Sequence, residues 1–233
     1  MSDAAFRPAR VYFEPRALDY PLGQELYDRF RKLGTEIKMT ASNGRVLGIP
    51  GDDFRGRYLE AKRTLVVGVR QSHKFQTSKP SADYQLPLVT GCSGHCQYCY
   101  LNTNLGLRNY IRIYVNVPDI LGRAAEYIKA GKGEGRLVSF DGSCTGDPVA
   151  TEPWTGALAA TIRFFAGESH GRFRFVTKYT AVDGLLDLPH AGHTRIRFSI
   201  NVPWVIGRFE KGVAGLKGRI EAAGKVAAAG YPT

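Results

Sequence analysis

Three of the four cysteines in this 233-residue chain fall within one short stretch, Cys92-Ser93-Gly94-His95-Cys96-Gln97-Tyr98-Cys99-Tyr100. The fourth, Cys144, stands alone downstream. Three thiolates on one tight loop can hold a metal centre and leave one coordination position free. Structural zinc usually takes four protein ligands, often as two separated Cys-x-x-Cys pairs. An iron–sulfur cubane normally takes four cysteines, so three supplied by the loop leave one iron open to a small-molecule ligand. A zinc knuckle completed by His95 or a distant residue is the alternative use of the same side chains, and plain burial of the thiols is a third. An isolated cysteine such as Cys144 is either a small buried hydrophobe or a reactive thiol.

The elements that carry these residues follow from the hydrophobic pattern. Residues 10–15 read as a short strand stopped by Pro15. Tyr20-Pro21 opens a helix whose Leu22, Leu26, Phe30 and Leu33 form one apolar face, and Gly34 ends it. Residues 36–40 read as a strand, Asn43-Gly44 as a turn, and residues 63–70 as a buried strand with a continuous apolar centre. The polar stretch 71–84 reads as a linker, so residues 1–84 form a small N-terminal α/β region with its linker, and residues 85–233 a second unit. There, strands over 85–89, 136–140, 172–176 and 194–200 alternate with helices over 118–130, 154–165, 182–186 and 216–229. Such repeats predict parallel strands with right-handed crossovers. Cys92, Cys144, Lys178 and Asn201 fall at or just past strand C-terminal ends, the rim where parallel barrels assemble their sites. Ser199 and Asn201 alternate on one strand face and share an environment. The expected fold class is therefore α/β, a partial (β/α) parallel barrel. Four strands cannot close a barrel, so the final strands are read as missing, with an exposed apolar edge near the C-terminus and poor solubility as its consequence.

Composition narrows the partners. A formal net charge of +11 favours a polyanion, nucleic acid first. Arg55, Arg57, Lys62, Arg63, Arg70, Lys74 and Lys79 are the basic residues read as available to phosphates, without sequence reading. The hydrophobic fraction of 43% and charged fraction of 23% are ordinary for a globular protein. No apolar run reaches membrane-spanning length, and residues 1–7 contain no apolar signal core. Clustered, unpaired cysteines suit a reducing cytoplasm. The expectation is a cytoplasmic protein with no membrane partner.

The pattern Cys-x-x-x-Cys-x-aromatic-Cys, with Tyr98 as the aromatic, resembles the motif of radical S-adenosylmethionine (SAM) enzymes. The likeness extends well beyond it. Val11-Tyr12-Phe13-Glu14-Pro15 followed by Tyr20-Pro21-Leu22-Gly23, Leu65-Val66-Val67-Gly68-Val69-Arg70, Lys79-Pro80-Ser81-Ala82, Tyr98-Cys99-Tyr100-Leu101-Asn102-Thr103, Phe175-Val176-Thr177-Lys178-Tyr179 and Arg197-Phe198-Ser199-Ile200-Asn201 together resemble the spore photoproduct lyase family. The resemblance runs from about Arg10 to the last residue. It implies a [4Fe–4S] cluster on Cys92, Cys96 and Cys99, SAM on the open iron, and a 5′-deoxyadenosyl radical. That radical takes a hydrogen from C6 of the DNA lesion 5-thyminyl-5,6-dihydrothymine, the methylene bridge breaks, and two thymines are restored. Cys144 matches the hydrogen-atom donor. Tyr98 and Tyr100 match positions implied in SAM contact and in passing the radical onward. Lys178 and Ser199 match SAM-binding positions, and Asn201 joins them on its strand face. The implied partners are UV-damaged DNA and an electron donor such as a flavodoxin or ferredoxin. The family pattern after its donor reads Cys-Thr-Ser-Asp; here it is Cys144-Thr145-Gly146-Asp147, so a serine implied in SAM contact is replaced by a residue with no hydroxyl. A radical SAM enzyme of other specificity, and an inactive shortened chain that binds a cluster and nucleic acid weakly, are the alternative functions.

Overall fold

The computed structural model describes residues 6–72 and 74–232. Most of the stretch read as lacking an export signal, and the last residue of the chain, lie outside the described residues.

Strand β1 (Arg10–Phe13) leads through helix α1 (Pro21–Lys32) to β2 (Glu36–Met39), which pairs with β1 in parallel. Helix α1 buries Leu26 and Phe30. Pro21 supplies its first turn, where a missing N–H costs nothing, and Gly34 at φ 65° closes it. Asn43 does not form a hairpin turn with Gly44; its side chain instead donates to Glu14 at 2.8 Å and to the Val69 carbonyl at 3.0 Å. Helix α2 (Phe54–Lys62) then returns the chain to β3 (Thr64–Gly68), parallel to β1. Sequence reading left α2 unassigned because it carries almost no apolar stripe; it buries only Ala61 and Lys62. Asp53 starts it by accepting from the Gly56 N–H at 2.6 Å, a side-chain cap for an otherwise unsatisfied donor.

The stretch expected to be a linker is structured. Phe75 is buried, and β4 (Thr77–Ser78) and β5 (Ala82–Gln85) form an antiparallel hairpin on a second sheet. The strand expected over 85–89 is divided at Leu86-Pro87-Leu88, because proline has no N–H to give to a ladder. Beyond the break, β6 (Val89–Thr90) belongs to the first sheet, antiparallel to β7 (Ile111–Tyr114), a strand the sequence reading missed. Helix α3 (Tyr100–Leu105) lies between them. The first sheet thus runs β2-β1-β3-β7-β6. A division at residue 84 does not follow the sheets, since residues 111–114 pair with the N-terminal β3.

From there the alternation is regular: α4 (Val117–Gly133), β8 (Val138–Asp141), α5 (Glu152–Thr155), α6 (Ala157–Ala166), β9 (Gly171–Thr177), β10 (Thr194–Phe198), α7 (Pro203–Phe209) and α8 (Leu216–Ala228). The helix expected over 154–165 is two helices, because Gly156 takes a left-handed conformation at φ 59°. Residues 183–185 make only a 3-10 turn, and α7 was not foreseen. The second sheet runs β10-β9-β8-β5-β4, with β5, β8, β9 and β10 parallel. Phe140, Phe165, Phe173 and Phe175 fill its core against Ile128, Leu158 and Ile162. Parallel strands with outer helices are the expected partial barrel. β10 is the outermost strand, and Ile200, Val202, Trp204 and Ile220 nearby are exposed, as expected of the C-terminal edge. No helix of the described residues is long and apolar enough to cross a membrane.

Candidate active site

The two sheets meet where β6 ends. Gly91 makes an isolated parallel bridge to Gly146 and turns the chain into the cysteine loop at φ 86°. A Cβ on Gly91 would lie 2.3 Å from the Tyr110 carbonyl oxygen, so glycine alone permits the turn. The loop is held from three sides. From α2, the Lys62 ammonium donates to the carbonyls of Cys92 at 2.7 Å and Gly94 at 2.9 Å. From the end of α7 and the residues just after it, the Lys211 and Phe209 carbonyls accept from the His95 and Gln97 N–H groups at 2.7 and 3.0 Å. From just past β9, the half-buried Tyr179 hydroxyl lies 2.7 Å from Ser93 Oγ and 3.8 Å from Cys92 Sγ. Asn102 ties the loop to the following helix by donating to the Cys96 carbonyl at 3.1 Å.

Cys92, Cys96 and Cys99 are unpaired thiols lining one cavity of about 290 Å³ with Tyr98, Gly146, Asp147, Lys178 and Ser199. Burial pushes the Cys92 thiol up to about 11 and raises Cys96 as well, so neither is charged without a cation to hold its sulfur. His95 does not line the cavity. Its ring packs edge-on against Tyr58 at 6.3 Å, which removes it as the fourth ligand of a zinc knuckle. Among the described residues no three His, Cys, Asp or Glu side chains close around a single ion. The donor set fits a cluster on its chemistry: three soft sulfurs of one loop face one open cavity.

A second cavity of about 560 Å³ adjoins the first and shares Tyr100, Leu101, Ser143 and Val176 with it. Its own wall holds Ser78, Lys79, Cys144, Arg174 and Arg197. Cys144 follows β8, and its Sγ sits 2.9 Å from Ser78 Oγ on the β4–β5 hairpin. Burial raises the Cys144 pKa, although the Ser78 contact works the other way, so the sulfur keeps its proton at neutral pH. The Tyr100 hydroxyl donates to the Cys144 carbonyl at the boundary of the two cavities. Arg174 pairs with Asp141 at 3.1 Å, while the buried Arg197 Nε has no hydrogen-bond partner among the described residues.

The remaining candidates fall differently. Lys178 lines the first cavity, with its ammonium 5.6 Å from the centre of the Tyr98 ring. Tyr98 is half exposed, and partial burial together with its bond to Glu210 pushes its hydroxyl up to about 12. Ser199 lines the same cavity. Asn201 does not; β10 ends at Phe198, so the strand alternation expected to pair Asn201 with Ser199 has already stopped, and Asn201 accepts from the Val202 N–H at 3.1 Å. Gly146 is accounted for by packing: a Cβ there would lie 2.4 Å from the Gly91 carbonyl oxygen. Sequence reading missed four residues besides. Asp147 is buried and pushed up to about 6 by that burial, against hydrogen bonds from the Lys178 N–H and the Thr177 hydroxyl. Tyr179, Glu210 and Arg219 are the others; Asp147 and Tyr179 fell in stretches already singled out, Glu210 and Arg219 did not. Two of the basic candidates change role. Lys62 is buried beneath the cysteine loop and cannot reach a phosphate, and Arg70 is only half exposed, whereas Arg55, Arg57, Arg63, Lys74 and Lys79 are exposed.

A family model described as spore photoproduct lyase matches residues 6–233. The chain belongs to the spore photoproduct lyase family. It is 52% identical over 226 residues to the spore photoproduct lyase of Geobacillus sp. (strain Y412MC61), covering 97% of this chain and 66% of that relative. It is 52% identical over 227 residues to that of Bacillus subtilis (strain 168), with the same shares. The chain therefore spans 66% of the length of these curated relatives. A solved spore photoproduct lyase complexed with dinucleoside spore photoproduct superimposes with a TM-score of 0.95 at 51% identity, over 98% of this chain and 66% of that one. A variant with bound AdoMet and the same dinucleoside gives a TM-score of 0.95 at 50% identity, with the same shares.

Proposed function

We propose that this chain carries the catalytic part of a radical SAM carbon–carbon lyase that returns the spore photoproduct in DNA to two thymines. One observation carries the proposal: a free thiol, Cys144, lines its own cavity across a shared wall from the three-cysteine cavity. Cys92, Cys96 and Cys99 would hold a [4Fe–4S] cluster, and Lys178, Ser199 and Tyr98 would hold SAM, the ammonium pairing with its carboxylate. With both bound, the site would supply a 5′-deoxyadenosyl radical.

The chain's own residues then decide what becomes of the lesion. The second cavity takes the linked bases, extruded from the stack, while Arg174, Arg197 and Lys79 offer donors and positive charge to the nucleotide. Once the methylene bridge has broken, the thymine radical takes the hydrogen atom of Cys144. One S–H bond breaks, one C–H bond forms, and the unpaired electron moves to sulfur. Ser78 fixes the thiol in the cavity at 2.9 Å. Tyr100, bonded to the Cys144 carbonyl, and Tyr98 lie on the route by which the electron deficit would pass back toward the first cavity. Asn201 would act at the margin of this machinery, where its side chain meets the Tyr98 hydroxyl. UV-damaged DNA in the cytoplasm is the substrate, and a flavodoxin- or ferredoxin-like protein supplies the electron.

The test is product identity on a dinucleoside lesion under dithionite, with a chain of full family length. Cys144→Ala should keep iron and SAM cleavage yet divert the lesion to side products. Clean repair to thymines by that variant would show that another group donates the hydrogen.

A further inference from the structure

Lys62 ends α2, and its residue exposure is 2%. Its ammonium is satisfied by two neutral carbonyls of the cysteine loop, Cys92 at 2.7 Å and Gly94 at 2.9 Å, and lies 5.5 Å from the centre of the Tyr58 ring one turn earlier. Among the described residues no carboxylate pairs with it. A buried cation without a counter-charge is costly, and such groups are retained where an anion or a metal site completes them. Those two bonds seat it directly against the cysteine loop, whose sulfurs become thiolates when they hold a metal centre. Three thiolates on a four-iron core carry net negative charge, and reduction adds one more.

We propose that Lys62 is the internal counter-cation of the cluster, a positioning residue that seats the loop through two carbonyls and raises the reduction potential of the centre. The proposal rests on the reading of the loop as a cluster site. Its physical basis is that net charge, hydrogen bonding and solvent exposure set the potential of such clusters. A fixed positive charge in a dry setting stabilises the reduced form more than the oxidised one. SAM cleavage needs an electron from that reduced form, so Lys62 favours the loading of the site without touching SAM or substrate. It approaches from α2, whereas Lys178 faces the cavity.

The experiment compares wild type with Lys62→Met, Lys62→Gln and Lys62→Arg after anaerobic reconstitution. Iron per chain is counted, and the midpoint potential is read by EPR-monitored titration. Glutamine keeps a donor for the carbonyls without charge; arginine keeps the charge. The expected result is an unchanged midpoint in Lys62→Arg and a roughly tenfold lower reduced-to-oxidised ratio in Lys62→Met and Lys62→Gln, about 59 mV for one electron. Loss of iron in Met and Gln with retention in Arg supports the same conclusion. Equal midpoints in all four proteins overturn it. So does loss of fold or iron in all three variants, because shape rather than charge would then be the requirement. If wild type itself assembles no four-iron cluster, the reading of the loop fails first and this proposal falls with it.

Discussion

The segment that pins the cysteine loop is itself anchored by a buried ion pair, and removing one partner should be expensive. Arg219 Nη2 donates to Glu210 Oε2 at 2.5 Å, and neither side chain is exposed. The guanidinium also donates to the carbonyls of Ala214 at 2.8 Å and Ser199 at 2.9 Å. Arg219→Met keeps the volume but leaves the Glu210 carboxylate with only the Tyr98 hydroxyl, and strands two carbonyls. Breaking a buried pair in this way costs about 3–5 kcal/mol. At about 2–4 °C per kcal/mol for a chain of this size, the melting temperature should fall by roughly 6–20 °C. The double variant Arg219→Met/Glu210→Leu removes the orphaned charge, and replacing a whole buried pair by apolar groups is often close to neutral. The two substitutions should therefore be coupled by about 2 kcal/mol or more. Urea unfolding followed by circular dichroism measures the cycle. A cost below about 1 kcal/mol for Arg219→Met, or additive single effects, would refute the reasoning.

Two further outcomes follow from single residues. Gly146→Ser, which restores the residue expected from the family pattern, should destabilise this chain by about 1–3 kcal/mol, because its Cβ meets the Gly91 carbonyl; a neutral effect in the same unfolding assay would show that the two loops part freely. Glu152 caps α6 by accepting from the Leu158 and Ala159 N–H groups at 2.7 and 2.9 Å, and burial pushes it up to about 7 from an ordinary 4.5. The folded state thus holds this proton more tightly than the unfolded chain, so the stability it contributes is full below pH 4.5 and lost as pH rises through about 7. Glu152→Gln should lack that slope, and an unchanged pH profile of stability would place the titration elsewhere.

Much of this could be read from the sequence because the signal was local. Cys92, Cys96 and Cys99 are close in sequence and therefore close in space, and a strand followed by a helix fixes where Cys144 and Lys178 emerge. The α1 face of Leu26 and Phe30 and the stop at Gly34 are equally local. What was not legible depends on distant pairing. Residues 111–114 carry a strand only because β3 and β6 flank them, and the hairpin that brings Ser78 to Cys144 looked like a linker because its residues are polar and its strands short. Lys62, read as a surface charge, is buried because the carbonyls of a loop thirty residues later turn toward it. The strand pairing of Asn201 with Ser199 was lost for the opposite reason: a period-2 pattern was extended past Phe198, where the strand ends.

The most direct test of the central account is anaerobic reconstitution with iron and sulfide, followed by an iron count and SAM cleavage, on wild type, Cys92→Ala and Cys144→Ala. The account expects about four irons per chain and SAM cleavage in wild type and in Cys144→Ala, with neither in Cys92→Ala. Loss of iron from Cys144→Ala, or a single four-coordinate zinc in wild type, would contradict the division between a three-cysteine cofactor loop and a separate thiol donor.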